Sequence, residues 1–277
     1  MNIAPFFACL LALTPALRTV DASAAVSPAE LRMVVVVSRH GVRSPTHPNE
    51  LQAYAKDPWP AWSGHPGNLT TRGALLMRQA GEYYRSFYGP LLGMSAGACP
   101  PPGSVFVWAD VDQRTRTTGA AITQGFAQGC ALAVHHATGD ADPLFDPLKG
   151  SGGVNRAASR ASILGAVGSN FAALNAAYEP AFVTLERVLG CAAPAACKQI
   201  ATVPTTVAND GDGGLATISG GLAMAGDVAE NILLEYVDGR SDVGWGRVDH
   251  STLLQLLQFQ VLGKKLEHGN RYTARAH

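Results

Sequence analysis

The run Met33-Val34-Val35-Val36-Val37-Ser38 is the feature that most restricts the fold. A β-branched stretch with no polar alternation predicts a strand buried on both faces, the kind found at the centre of parallel sheets. Arg39-His40-Gly41-Val42-Arg43-Ser44-Pro45 follows directly, and Gly41 and Pro45 break the strand. Arg39, His40 and Arg43 are then expected at the carboxyl end of a central strand, where open α/β sheets receive ligands. Two guanidinium forks beside an imidazole suit a phosphate oxyanion facing a nitrogen nucleophile. The competing reading is a purely structural Arg/His turn.

The rest of the chain repeats this layout once and then changes texture. Leu69-Thr70-Thr71-Arg72-Gly73 supplies threonine caps for a helix over Thr71 to Tyr88. Leu75, Leu76, Ala80, Tyr83, Tyr84 and Phe87 recur there at helical spacing and read as core. Ser104 to Ala109 predicts a second buried strand, opening into Asp110-Val111-Asp112-Gln113-Arg114-Thr115 and a helix over Thr117 to Gln128. Ala131 to Val134 leads as a strand into His135-His136, and His65 sits in a turn. Trp59 and Trp62 read either as packing residues or as the lining of a cleft mouth. Beyond the turn-rich joint Asp142 to Leu148, helices are expected over Ala157–Leu189, Ser219–Val237 and Ser251–Leu266, with loops at Val203–Gly214 and Gly239–Arg247. The expected organisation is residues 1–24 as a signal peptide, 25–148 as the first part of an α/β core, 149–250 as an α-helical subdomain, and 251–277 as the start of a return to the core.

Ile3 to Leu17 is apolar and Ala22-Ser23-Ala24 fits a small-x-small cleavage site, which predicts export to the periplasm or beyond. Pro5, Pro15 and Arg18 interrupt a run already too short to span a bilayer, so no stable membrane association is expected after cleavage. Cleavage removes Cys9 and leaves Cys99, Cys130, Cys191 and Cys197. An even number in an exported chain reads as disulfides. Cys191 and Cys197 bracket a short loop and are natural partners, which leaves Cys99 with Cys130; four free thiols are the alternative. Twenty-one basic residues balance twenty-one acidic ones, so no net field attracts nucleic acid and any phosphate recognition is local.

Taken in order, R-H-G-x-R-x-P at Arg39–Pro45, Leu69-Thr70-Thr71-Arg72-Gly73, Ala109 to Thr115, Asp142 to Leu148 and Gly244-Trp245-Gly246-Arg247 resemble the histidine acid phosphatases. The last two resemble the periplasmic bacterial branch that holds phytases and glucose-1-phosphatases. The resemblance implies an α/β fold, a core sheet flanked by helices with an inserted helical subdomain. It implies a phosphate-accepting nucleophile at His40, phosphate-binding arginines at Arg39, Arg43 and Arg114, and an active-site carboxylate at Asp110. It also implies phosphate contact at Thr46 and a substrate-side glutamate at Glu230. The implied partner is a small phosphate monoester, with no cofactor and no metal.

In that family a late His-Asp pair binds phosphate and protonates the leaving group. This sequence contains no His-Asp dipeptide, so the general acid and at least one strand of the core sheet are expected to be missing. Two functions follow from this. One is an acid phosphomonoesterase acting through a phosphohistidine; the other is an impaired form that at most binds phosphate. A phosphoglycerate-mutase-like enzyme shares R-H-G, but the signal and the cysteines disfavour it. His47 and Asp227 stand where members of the branch vary, which leaves phytate, sugar phosphates and generic esters open.

Overall fold

The structure is a computed structural model that describes residues 30–146, 148, 154–193, 197–270 and 272. The expected signal peptide, residues 1–24, lies outside the described residues.

The first half is built around two helices, α1 (Thr71–Leu91) and α2 (Gln113–Phe126). Thr70 caps α1, its hydroxyl accepting from the Gly73 amide at 2.9 Å. Glycines set how closely the helices approach. A Cβ on Gly81 would lie 2.1 Å from the Ile122 carbonyl, and one on Gly125 would lie 1.9 Å from that of Arg78. Helix α2 is also the crossover between β1 (Val107–Trp108) and β2 (Val134–His135), a parallel pair with Val107 opposite Val134. The Cys99–Cys130 disulfide ties the loop before β1 to the loop after α2.

The second half is helical and holds most of the buried core. It contains α3 (Arg156–Ala166), α4 (Phe171–Ala177), α5 (Glu179–Leu189) and the antiparallel hairpin β3 (Thr206–Ala208) and β4 (Thr217–Ser219). Helix α6 (Gly221–Val237), the single turn α7 (Val243–Gly246) and α8 (His250–Glu267) follow. Leu185, Val188 and Leu189 of α5 pack with Val228 and Ile232 of α6 and with Leu256 and Phe259 of α8. The Phe182 and Phe259 rings meet at 4.7 Å between centroids. Leu51 and Ala55 from the first half join this cluster, and Cys191 pairs with Cys197 at its edge.

Three expectations fail. Residues 33–38 form no strand among the described residues, and Val37 is 90% exposed. A strand buried on both faces needs hydrogen-bonded neighbours and a covering layer, and no described residue supplies them. The second strand is only Val107–Trp108, flanked by a 70% exposed Phe106. The apolar stripe of α1 is not core: Leu75, Tyr83 and Phe87 face solvent, while the helix buries Gly73, Gly81 and Gly89. Two smaller differences concern the helical half. The continuous helix over 157–189 is broken near Ser169, which has φ +56°, and the loop at Val203–Gly214 contains the first strand of a hairpin.

Candidate active site

The motif after the valine run is held by a short antiparallel pairing with residues 68–70. Arg43 bridges to Leu69, the Ser44 amide donates to the Asn68 carbonyl at 2.9 Å, and the Thr70 amide donates to the Val42 carbonyl at 2.8 Å. The start of α1 backs directly onto it. Gly73 sits so close to Val42 that a Cβ would lie 2.2 Å from the Val42 oxygen, a contact only glycine permits. From the far side, the Thr118 hydroxyl of α2 accepts from the Gly41 amide at 3.0 Å. Thr70 also donates to Asp238 at 2.7 Å, just past the end of α6, so one residue caps α1 and ties the two halves of the chain together.

His40 lies in this cradle, half-buried. Its Nδ1 is 2.7 Å from the Gly41 carbonyl oxygen. A carbonyl only accepts, so Nδ1 carries the proton and Nε2 keeps its lone pair. Burial lowers the imidazole pKa from its usual value, and the guanidiniums of Arg39, Arg114 and Arg43 lower it further against the opposing carbonyl contact. Burial and the three guanidiniums together outweigh that contact and favour a neutral, nucleophilic ring.

The arginines differ in their partners. Arg43 is buried and donates to Glu230 Oε1 at 3.0 Å and to the Ser44 carbonyl at 3.0 Å. Arg39 is exposed and reaches the same Glu230 oxygen at 3.2 Å. One carboxylate oxygen therefore takes a donor from each guanidinium, the role a phosphate oxygen would have. Arg114 pairs with Asp112, and its Nε is buried without a partner. Gly67, at φ +78°, lets Thr46 and Arg114 close in beside the motif.

The structure thus gathers Arg39, His40, Arg43, Arg114 and Glu230 in one place. Thr46 is exposed at its edge. Of the two aspartates in the polar turn, Asp112 is the one that pairs with an arginine. Asp110 Oδ1 accepts from the Val111 amide at 2.7 Å, and the Asp110 carbonyl accepts from the Thr115 hydroxyl at 2.8 Å. Gly73, Thr118 and Asp238 were not foreseen. Gly73 closes the Leu69–Gly73 motif, but that motif does not show its contact with Val42, and nothing local marks Thr118 or Asp238, because each meets its partner through the packing of α1, α2 and α6.

Comparison with known proteins places this arrangement. The sequence is 35% identical to phytase AppA of Escherichia coli over 285 residues, 95% of this chain and 64% of that protein. A glucose-1-phosphatase of Salmonella typhimurium is 35% identical over 123 residues, 43% of this chain and 30% of that one. Among solved structures, the phytase of Citrobacter braakii superposes with a TM-score of 0.81 at 32% identity, covering 89% of this chain and 63% of that one. A Hafnia alvei phytase in complex with myo-inositol hexakis sulphate gives a TM-score of 0.76 at 31% identity, over 85% of this chain and 60% of that one. The chain thus spans about three-fifths of the length of these phytases. Residues 30–183, from the start of the described chain into α5, match the histidine phosphatase superfamily (branch 2). That match takes in more than half of the chain and all of the motif, and on it the chain belongs to the histidine phosphatase superfamily, branch 2.

Proposed function

We propose that the protein hydrolyses phosphate monoesters through a phosphohistidine at His40. The observation that carries this is the orientation of the imidazole: Nδ1–H is committed to the Gly41 carbonyl and Nε2 is free, inside a cradle of Arg39, Arg43 and Arg114. A phosphomonoester resists attack because its own charge repels the nucleophile, so positioning and charge neutralisation supply most of the catalysis. The three guanidiniums balance the dianion. Nε2 forms a bond to phosphorus as the ester P–O bond breaks and the leaving oxygen takes a proton from solvent water. Water then attacks phosphorus, the N–P bond breaks, and orthophosphate leaves. Glu230 must yield its hydrogen bonds to Arg39 and Arg43 as the phosphoryl group enters, which gives it a role at the substrate side.

A second reading is favoured by one observation, that the sequence has no His-Asp dipeptide to act as the family's leaving-group acid. Asp112 is engaged by Arg114 and Asp110 accepts from a backbone amide, so neither is poised as a proton donor. General acid catalysis contributes on the order of 10²- to 10⁴-fold. In this reading the chain binds phosphate and turns over slowly.

The exported location inferred from residues 1–24 is supported by the two disulfides, which persist in oxidising compartments. Assay of a chromogenic phosphomonoester at acid pH, with trapping of labelled phosphate on the protein, tests the function. Label on His40 together with sustained turnover supports the first reading. Orthophosphate binding with negligible turnover supports the second, and label on a residue other than His40 removes the mechanism.

A further inference from the structure

The outer edge of the cradle is negatively charged, although its floor is cationic. Asp227 stands on α6 one turn before Glu230, a spacing that puts both carboxylates on one face of the helix. The loop that leaves the motif runs from Thr46 to His47 and Glu50, where His47 Nδ1 pairs with Glu50 Oε1 at 3.1 Å. The charged groups bearing on Asp227 are Glu230 on its own helix, Glu267 on α8, and Glu50 and His47 from this loop. Of these, only His47 offsets the negative charge.

Asp227 keeps solvent contact, yet neighbouring protein crowds it. Although the residue is exposed, desolvation by the protein around it, followed by repulsion from Glu230, Glu267 and Glu50, raises its carboxyl pKa to about 6. Among the described residues no arginine pairs with it, in contrast to Glu230 and Asp112. Glu230 of α6 binds both Arg39 and Arg43, so an ester whose phosphoryl group lies on them would place its leaving group beside this face of α6 and the loop 46–50, which starts one residue past the motif. Further phosphates on that leaving group would then face Asp227 and Glu50.

We propose that Asp227 and Glu50 form a charge filter at the lip of the cradle, which selects monophosphate esters of uncharged alcohols over esters whose leaving group bears additional phosphates. This rests on the reading of the cradle as a phosphate site. The filter is a specificity device: it acts on the leaving group and leaves the bound phosphoryl group to the arginines. Because Asp227 is charged at neutral pH and mostly neutral at pH 5, the filter relaxes in acid.

Binding tests this without requiring turnover. Orthophosphate and tripolyphosphate are titrated calorimetrically against the full chain and against Asp227→Asn, at pH 7.5 and at pH 5. At pH 7.5 the variant should bind tripolyphosphate about three- to tenfold more tightly than the parent, from removal of one charge near a polyanion in a partly screened setting. Orthophosphate affinity should shift less. At pH 5 the ratio of variant to parent should approach one, and taking that ratio cancels the titration of the ligands themselves. Glu50→Gln, on an exposed loop, should move tripolyphosphate binding in the same direction and serves if Asp227→Asn folds poorly. Unchanged tripolyphosphate affinity in both variants, with orthophosphate still bound, overturns the filter and leaves the cradle intact. A chain that binds no orthophosphate overturns both.

Discussion

Gly73→Ala separates two physical effects of opposite sign. Gly73 is the third residue of α1, and alanine in a helix interior is worth roughly 0.5–1 kcal/mol over glycine. Helix propensity alone therefore predicts a more stable protein. Packing predicts the reverse. The new methyl would lie 2.2 Å from the Val42 carbonyl oxygen and 2.8 Å from its nitrogen. Both are backbone atoms, so no rotamer relieves the contact, and bringing it to 3.0 Å moves one segment by about 0.8 Å. Overpacking of this kind costs about 1–3 kcal/mol. For a chain of this size that is a fall in Tm of roughly 2–10 °C. Val42 stands between His40 and Arg43, so the same shift moves the imidazole relative to the guanidiniums. Misplacement near 1 Å can cost on the order of 10²-fold in rate, and orthophosphate affinity should fall with it. Gly165→Ala in α3 is the control. It sits in open space with ordinary helical geometry and should raise stability slightly. Circular-dichroism melts and phosphate titrations of the two variants decide the matter. A Gly73→Ala protein that melts at or above the parent and binds phosphate undiminished would refute the argument that this glycine sets the position of the motif.

Other outcomes follow from the same geometry. His40→Ala should abolish phosphate transfer, while His40→Asn should retain phosphate binding, because only the nucleophile is lost and the arginines remain; labelling and titration read the two separately. Arg114→Ala removes a charge-assisted contact of roughly 1.5–3 kcal/mol, so phosphate affinity should drop by about 10- to 100-fold with little change in Tm. Arg72→Ala should be mild by both measures, since Arg72 Nε only donates to the Val237 carbonyl at the end of α6. Burial raises the carboxyls of Glu186 and Glu235 above their usual 4.5, partly offset by backbone amides of Ala201 and Gly244. Their neutral forms suit the fold, so this contribution is complete below pH 4.5 and is lost as pH rises through the raised values. Melting profiles across pH 4 to 8 should show that decline, and Glu235→Gln should flatten part of it.

The helices were legible because their signals are local. Thr70 caps α1 where the sequence says, and α6 and α8 begin within two residues of expectation. The catalytic candidates were legible because most lie within five residues of one another, with Arg114 marked by its own polar turn. What failed was inference about burial. The valine run and the α1 stripe have the composition of core, yet burial depends on which surfaces meet, and composition does not encode that. The β3–β4 hairpin escaped notice because its strands are three residues long and the segment between them is rich in Gly and Asp. Gly73, Thr118 and Asp238 act only through contacts made by distant segments.

The valine run has a thermodynamic consequence. It is continuous with Arg39 and His40: the backbone just after the nucleophile is held by residues 68–70 on one side and by Thr118 on the other, whereas residues 33–38 make no backbone pair among the described residues. Adding a strand to residues 33–38, whether from further polypeptide or from a second molecule, would satisfy open backbone groups and cover valine surface. It would also restrict the freedom of the segment that carries the imidazole. The two events are then linked reciprocally: a strand that stiffens the run strengthens anion binding, and a bound anion strengthens the strand's attachment by the same factor. The cradle and the valine run would then share one coupled equilibrium, and a phosphate titration repeated with and without a strand-supplying peptide would measure its size.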